Sequence, residues 1–167
     1  MARLTILKYP DPRLYKKAIL VREFDPGLRT LIKNMAETMY SAPGIGLAAT
    51  QVDVHKRIIV IDTSETRDQL LVLVNPEIVH RDGIQQRDEG CLSVPGIFEP
   101  VERALRISVK AQDELGNTIS VAAEDLLSVC IQHEMDHLEG IVFVDHLSQL
   151  KRTRIRSKIL KQIKKGE

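Results

Sequence analysis

The segment of this chain best equipped to do chemistry is His133-Glu134-Met135-Asp136-His137. Residues four apart on a helix share a face, about 6 Å apart along the axis. Two imidazoles so placed can grip one metal ion, and Glu134, beside the first, can serve as general base toward a water that the metal activates. The competing reading is a polar helix face that carries two histidines by chance. The apolar run before the motif favours a buried metal helix. Asp136 is expected either to orient a ligand imidazole or to stand solvated on the helix face.

A catalytic metal site needs a third protein ligand and an open position. The chain has two cysteines, Cys91 and Cys130. Cys130 precedes His137 by seven residues, about 10 Å of helix rise. Three residues of one straight helix cannot converge over that span, so Cys130 is expected to pack in the core or line a pocket. Cys91, in the turn-like stretch Glu89-Gly90-Cys91-Leu92-Ser93, is free to approach from elsewhere. His55, His80 and His146 have no partner at ligand spacing and read as surface or loop residues.

Gly44-Ile45-Gly46-Leu47-Ala48-Ala49-Thr50-Gln51 lacks the spacing and the lysine of a phosphate loop. Alone it reads as a tight turn of small residues. Beside a metal hydrolase its glycines would let a substrate backbone approach closely. Gln51 then offers an uncharged donor to a developing oxyanion, and the backbone N–H of Leu92 offers a second.

The elements that must position these groups follow from periodicity. Asp25 reads as an N-cap with Pro26 at the first helical position. Leu28, Leu31, Ile32, Met35 and Met39 keep helical spacing until Pro43-Gly44. Strands are expected at Arg57–Asp62, at Leu70–Asn75, separately at Glu77–Asp82, and at Arg106–Gln112. Glu114–Asn117 reads as a hairpin turn into Thr118–Val121. A second helix spans Glu124–Leu138, with Leu126, Leu127, Val129, Cys130 and Ile131 on its apolar side, and Gly140 stops it. A third runs from Leu147 to about Ile163. This order implies a small α+β domain, its strands antiparallel or mixed around the metal helix.

The 167 residues suit one domain, and 43% hydrophobic residues suffice for a core that must be aliphatic, since aromatics are 4%. Two cysteines do not make a disulfide scaffold. No apolar stretch reaches 18 residues, and the N-terminus lacks the pattern of a signal peptide, so a soluble cytoplasmic chain with reduced thiols is expected, an organellar matrix being the other setting. The net charge of +1 hides an asymmetry. Ser148–Glu167 holds eight bases and one acid, hence +7, whereas residues 1–147 hold 16 bases and 22 acids, hence −6. The chain therefore divides into a catalytic body, 1–147, and a basic helical extension of the same domain, 148–167. In that extension Ile155, Ile159 and Ile163 form a narrow apolar stripe among Arg152, Arg154, Arg156, Lys158, Lys161 and Lys164. It is expected either to dock on the body or to meet the phosphate-rich surface of the ribosome.

Three segments, GIGLAATQ at Gly44–Gln51, EGCLS at Glu89–Ser93 and QHEMDHLEG at Gln132–Gly140, resemble the three signature motifs of the peptide deformylase family, in family order. The opening Ile6–Leu14 is similar to that family's N-terminus. The resemblance implies a hydrolase that removes the N-formyl group from the initiator methionine of new polypeptides. It implies that Cys91, His133 and His137 bind one divalent metal, Fe(II) natively with zinc or nickel as substitutes. Glu134 would be the base, and Gln51 with the Leu92 amide the oxyanion hole. Ile45, Gly46 and Gly90 would lie along the substrate, and Leu126, Val129 and Cys130 would line the methionine pocket. A monomer is expected. The rivals are a zinc endopeptidase with the same helix, and a structural-metal module closed by a fourth ligand.

Overall fold

The computed structural model describes residues 2–165. Helix α1 (Pro26–Ser41) starts where Asp25 accepts a hydrogen bond from the Leu28 N–H at 2.9 Å, a cap worth about 1 kcal/mol. It ends at Ser41, two residues before Pro43. Seven strands follow from Gly46 on: β1 (Gly46–Ala48), β2 (Ile58–Ile61), β3 (Leu71–Asp82), β4 (Gln85–Cys91), β5 (Val94–Arg103), β6 (Arg106–Gln112) and β7 (Thr118–Glu124). Helix α2 (Asp125–Leu138) carries the His-Glu-x-x-His motif, and α3 (Gln149–Lys164) closes the chain.

Five strands form an antiparallel sheet in the order β1-β2-β3-β6-β7, while β4 and β5 pair as a separate hairpin. The α+β expectation holds. Side chains alternate faces along a strand. Ile58 and Val60 accordingly join Leu28, Ile32, Met35 and Met39 of α1, whereas Ile59 and Ile61 join Ile131 and Leu138 of α2. The central strands thus lie between two helices, which explains the unbroken apolar run in β2. Each of these fully buried side chains contributes roughly 1.5–3 kcal/mol. A third cluster joins Leu7, Tyr9 and Leu14 to Val94, Ile97 and Val101 of β5, to Phe143, and to Ile155 and Ile159 of α3.

Three sequence expectations need correction. The segments Leu70–Asn75 and Glu77–Asp82 are one strand, β3, with a bulge between Val74 and Glu77. Asn75 takes a left-handed conformation (φ 52), its side chain bonded to Val21 and Gln112, and Pro76 has no N–H to donate. The hairpin β4–β5 has no counterpart in the sequence expectation. Gln85–Glu89 is polar, and Pro95, Gly96 and Pro100 interrupt β5. Finally, β7 continues to Glu124, three residues beyond Val121.

Helix α3 begins after Ser148, whose hydroxyl accepts from the Lys151 N–H. Ile155 and Ile159 are buried, but Ile163 is 46% exposed, so the apolar stripe docks on the body over its first part only. Arg154, Arg156, Lys158, Lys161 and Lys164 are exposed. Residues 166 and 167 of the expected extension lie outside the described residues. Among the described residues no helix is long and apolar enough to cross a membrane.

Candidate metal centre

Cys91, at the end of β4, is brought to α2 by the tight turn into β5, where it faces Val94. The thiol of Cys91 and one nitrogen each of His133 and His137 lie within 4.8 Å of one another, and Cys91 Sγ is 3.4 Å from His137 Nε2. Cys130 does not belong to this group; among the described residues the cluster has three donors, not four. Burial, followed by the nearby Glu134 and Glu89 charges, pushes the Cys130 thiol up to about 12. It therefore stays an uncharged thiol on the wall of the cavity.

The surroundings of His133 suit it to hold an ion. Its Nδ1 is 2.9 Å from Glu89 Oε1, which leaves Nε2 as the nitrogen that can bind an ion. Glu89 is buried and doubly bonded to Arg103, both contacts 2.8 Å. Arg103 also pairs with Asp136, whose carboxylate meets His146 at 2.9 Å. Asp136 is thus neither a support for a ligand imidazole nor a solvated carboxylate; it anchors Arg103. The support of His133 is Glu89, a role the sequence reading missed. Its only sequence signal was its place two residues before Cys91. Arg103→Leu would strand the buried Glu89 charge, and should lower stability by about 3–5 kcal/mol, read as a lower denaturant midpoint at unchanged slope.

Two buried polar atoms here have no protein partner, Glu134 Oε1 and His137 Nδ1. Burial works against charge on His133, yet Glu134, Cys91 and Glu89 around it raise its pKa well above the usual value. Burial, helped by His133 and Arg103, lowers that of His137. The pocket thus attracts positive charge while keeping one imidazole neutral, and a thiolate with two imidazoles suits a borderline-soft divalent ion. The donor set fits a bound metal. Burial, opposed chiefly by His133, pushes the Glu134 carboxyl up to about 7, a value suited to proton exchange near neutrality.

Gln51 is oriented from both sides. Its Oε1 accepts from the Ala48 N–H at 2.9 Å, and Nε2 faces Ser93 Oγ at 3.0 Å and Cys91 Sγ at 3.5 Å. The N-terminal segment ties these pieces together, since Leu7 and Tyr9 donate to the carbonyls of Gln51 and Ser93. A cavity of about 520 Å³ opens over the centre. Ile45, Gly46, Gln51, Gly90, Cys91, Leu92, Leu126, Val129, Cys130, His133 and Glu134 all line it. A Cβ on Gly46 would fall 2.5 Å from Glu134 Oε2, and one on Gly90 would fall 2.4 Å from the Phe98 ring. A side chain at either position would have to displace the Glu134 carboxylate or the Phe98 ring. Phe98, 68% exposed at the cavity rim, was not anticipated from the sequence. A larger cleft of about 640 Å³, reached from the Gln132, Met135 and Asp136 side of α2, contains none of the three metal donors.

A small α+β domain that sets a His-Glu-x-x-His helix beside a cysteine delivered by a hairpin has the arrangement of a metal-dependent enzyme of the His-Glu-x-x-His class. The family model described as polypeptide deformylase matches residues 3–153. Peptide deformylase 2 of Nitrosomonas europaea is 60% identical over 99% of this chain and 89% of its own length. The peptide deformylase of Cellvibrio japonicus is 58% identical over 99% of both. Among solved structures, a peptide deformylase from Legionella pneumophila superposes with a TM-score of 0.94 at 45% identity, covering 99% of each chain. One from Ehrlichia chaffeensis in complex with actinonin gives 0.94 at 40% identity, covering 97% of this chain and 98% of that one. The chain belongs to the polypeptide deformylase family. It is an enzyme, and removal of the formyl group from nascent polypeptides is the family's function.

Proposed function

We propose that deformylation takes place at the Cys91–His133–His137 centre, with Glu134 as the proton carrier. The observation that carries this reading is the buried, unpartnered Glu134 Oε1 beside three converging metal donors. A divalent ion held by those residues would make water acidic near neutral pH and polarise the formyl oxygen. Fe(II) is the native ion in this reading, with zinc or nickel able to replace it. Glu134 accepts the proton of the attacking water and passes it to the leaving amine. Gln51 Nε2 and the Leu92 N–H donate to the oxygen as it gains charge. Formate and a free N-terminal methionine leave.

The peptide runs along β1, which has β2 on one side only and so keeps a free edge. Ile45 and Gly46 pair with its backbone as an added strand would, while Gly90 lines the same cavity. Leu126, Val129 and the neutral Cys130 receive the methionine side chain. The reaction occurs in the cytoplasm, with the protein a monomer. Protein purified without oxygen, its metal measured, should release formate from formyl-Met-Ala-Ser and leave internal peptide bonds intact. Cleavage inside a peptide without formate release would support an endopeptidase instead.

The exposed bases of α3 give the enzyme its contact with the ribosome, while the acidic body is repelled by the same surface. Such binding weakens steeply with salt. Removal of residues 148–167 should abolish co-sedimentation with ribosomes at low salt and spare hydrolysis of a small formyl peptide. Equal pelleting of the truncated and full chains would exclude the tail as the contact. Because Ile155 and Ile159 are buried, a charge-reversed α3 with both isoleucines kept is the companion variant that preserves the fold.

A further inference from the structure

Behind the Gly44–Gly46 segment stands a polar clamp that the chemistry above does not use. Arg67, in the connection between β2 and β3, has a left-handed backbone (φ 58) and lines neither the metal centre nor the cavity over it. Its guanidinium donates through Nη1 to the Asp62 carbonyl at 2.9 Å and through Nη2 to the Gly44 carbonyl, and its Cζ lies 5.1 Å from the centre of the Tyr40 ring. The Tyr40 O–H donates to Asp62 Oδ2 at 2.6 Å. The buried Asp62 carboxylate also accepts from the Ser64 hydroxyl and from the N–H groups of Ser64 and Gln69. The Asp62 N–H donates to the Ile45 carbonyl at 2.8 Å.

Gly44 precedes β1, so the sheet ladder gives its carbonyl no partner; Arg67 supplies one. The planar fork of an arginine can hold two carbonyls at once, which a lysine cannot do with the same rigidity. Glycine leaves its backbone wide conformational freedom, so a segment with glycines at 44 and 46 stays in one conformation only if something fixes it. A strand edge that is already ordered binds a peptide without the cost of ordering itself.

We infer that Arg67 is a positioning residue for the peptide portion of the substrate, presetting Ile45 and Gly46 as the edge that receives the residues after the formylated methionine. The inference rests on the strand pairing proposed above. It predicts a dependence on substrate length that a general structural brace would not produce.

The test compares formyl-Met-Ala-Ser with formyl-Met methyl ester, which lacks the following peptide units. Arg67→Met keeps a long unbranched side chain and removes both hydrogen bonds. KM for the tripeptide should rise about tenfold, the scale of one charged hydrogen bond, with kcat within about twofold. Both constants for the methyl ester, and the metal content, should stay at parent values. Arg67→Lys should show the same split at smaller size, and it carries the test if Arg67→Met does not fold. Equal losses on both substrates, a loss confined to kcat, or no change in either variant would overturn the inference. A parent protein that released no formate from formyl-Met-Ala-Ser would overturn the functional reading and this inference with it, a failure recognised because it needs no substitution.

Discussion

Glu134→Gln should keep its metal and lose at least about 10²-fold in kcat, the usual worth of a positioned proton carrier. The carboxylate lies one residue from His133, with Oε2 against Gly46 and Oε1 buried without a protein partner. Glutamine preserves the shape that fills this space, so the fold and the three donors should be undisturbed. It cannot take up a proton, however, and the amine would depart unprotonated. Since the interaction lost belongs to the transition state, kcat and kcat/KM should fall together with KM little changed. Metal analysis alongside steady-state kinetics checks both halves. A variant that came out metal-free would make Glu134 a ligand, and one that turned over at the parent rate would remove it from the mechanism.

Cys91→Ala should empty or greatly weaken the metal site, whereas Cys130→Ala should leave metal content unchanged. The two thiols differ in surroundings rather than chemistry. Cys91 Sγ lies 3.4 Å from His137 Nε2, but Cys130 stands outside the donor cluster, with burial holding its thiol neutral at a pKa of about 12. Removing one of three protein donors leaves two imidazoles, too few for a tight site. Removing the Cys130 sulfur only enlarges the cavity wall, at a modest cost in stability. An Fe(II) form should also lose activity in air, because a ferrous ion beside a thiolate is exposed to oxidation, and a zinc form, whose ion has no redox chemistry, should not. Metal content of the two purified variants decides the assignment, and the opposite pattern would make Cys130 the ligand.

The sequence by itself determined what local spacing can encode. The pair His133 and His137 shares a face because a helix repeats every 3.6 residues. Asp25-Pro26 starts α1 through one side-chain hydrogen bond three residues long. The same rise along the helix sets Cys130 too far from His137 for both to hold one ion on a straight helix. Ile58–Ile61 read as a strand because β-branched residues ran together, though not which helix each would face. Only the tertiary structure brought Cys91 to α2, 46 residues away in the chain from His137. It alone joined Glu89 to Arg103 and His133, and Arg67 to Gly44 across 23 residues. It also made a hairpin of a polar stretch and a Pro- and Gly-interrupted one, because the partner strand and the packing of Val94, Ile97 and Val101 against Phe143 and α3 outweigh weak local preference. Contacts between residues distant in the chain leave no period in the sequence. Their energy appears only when the backbone has folded and burial has removed the water that would otherwise satisfy those polar groups.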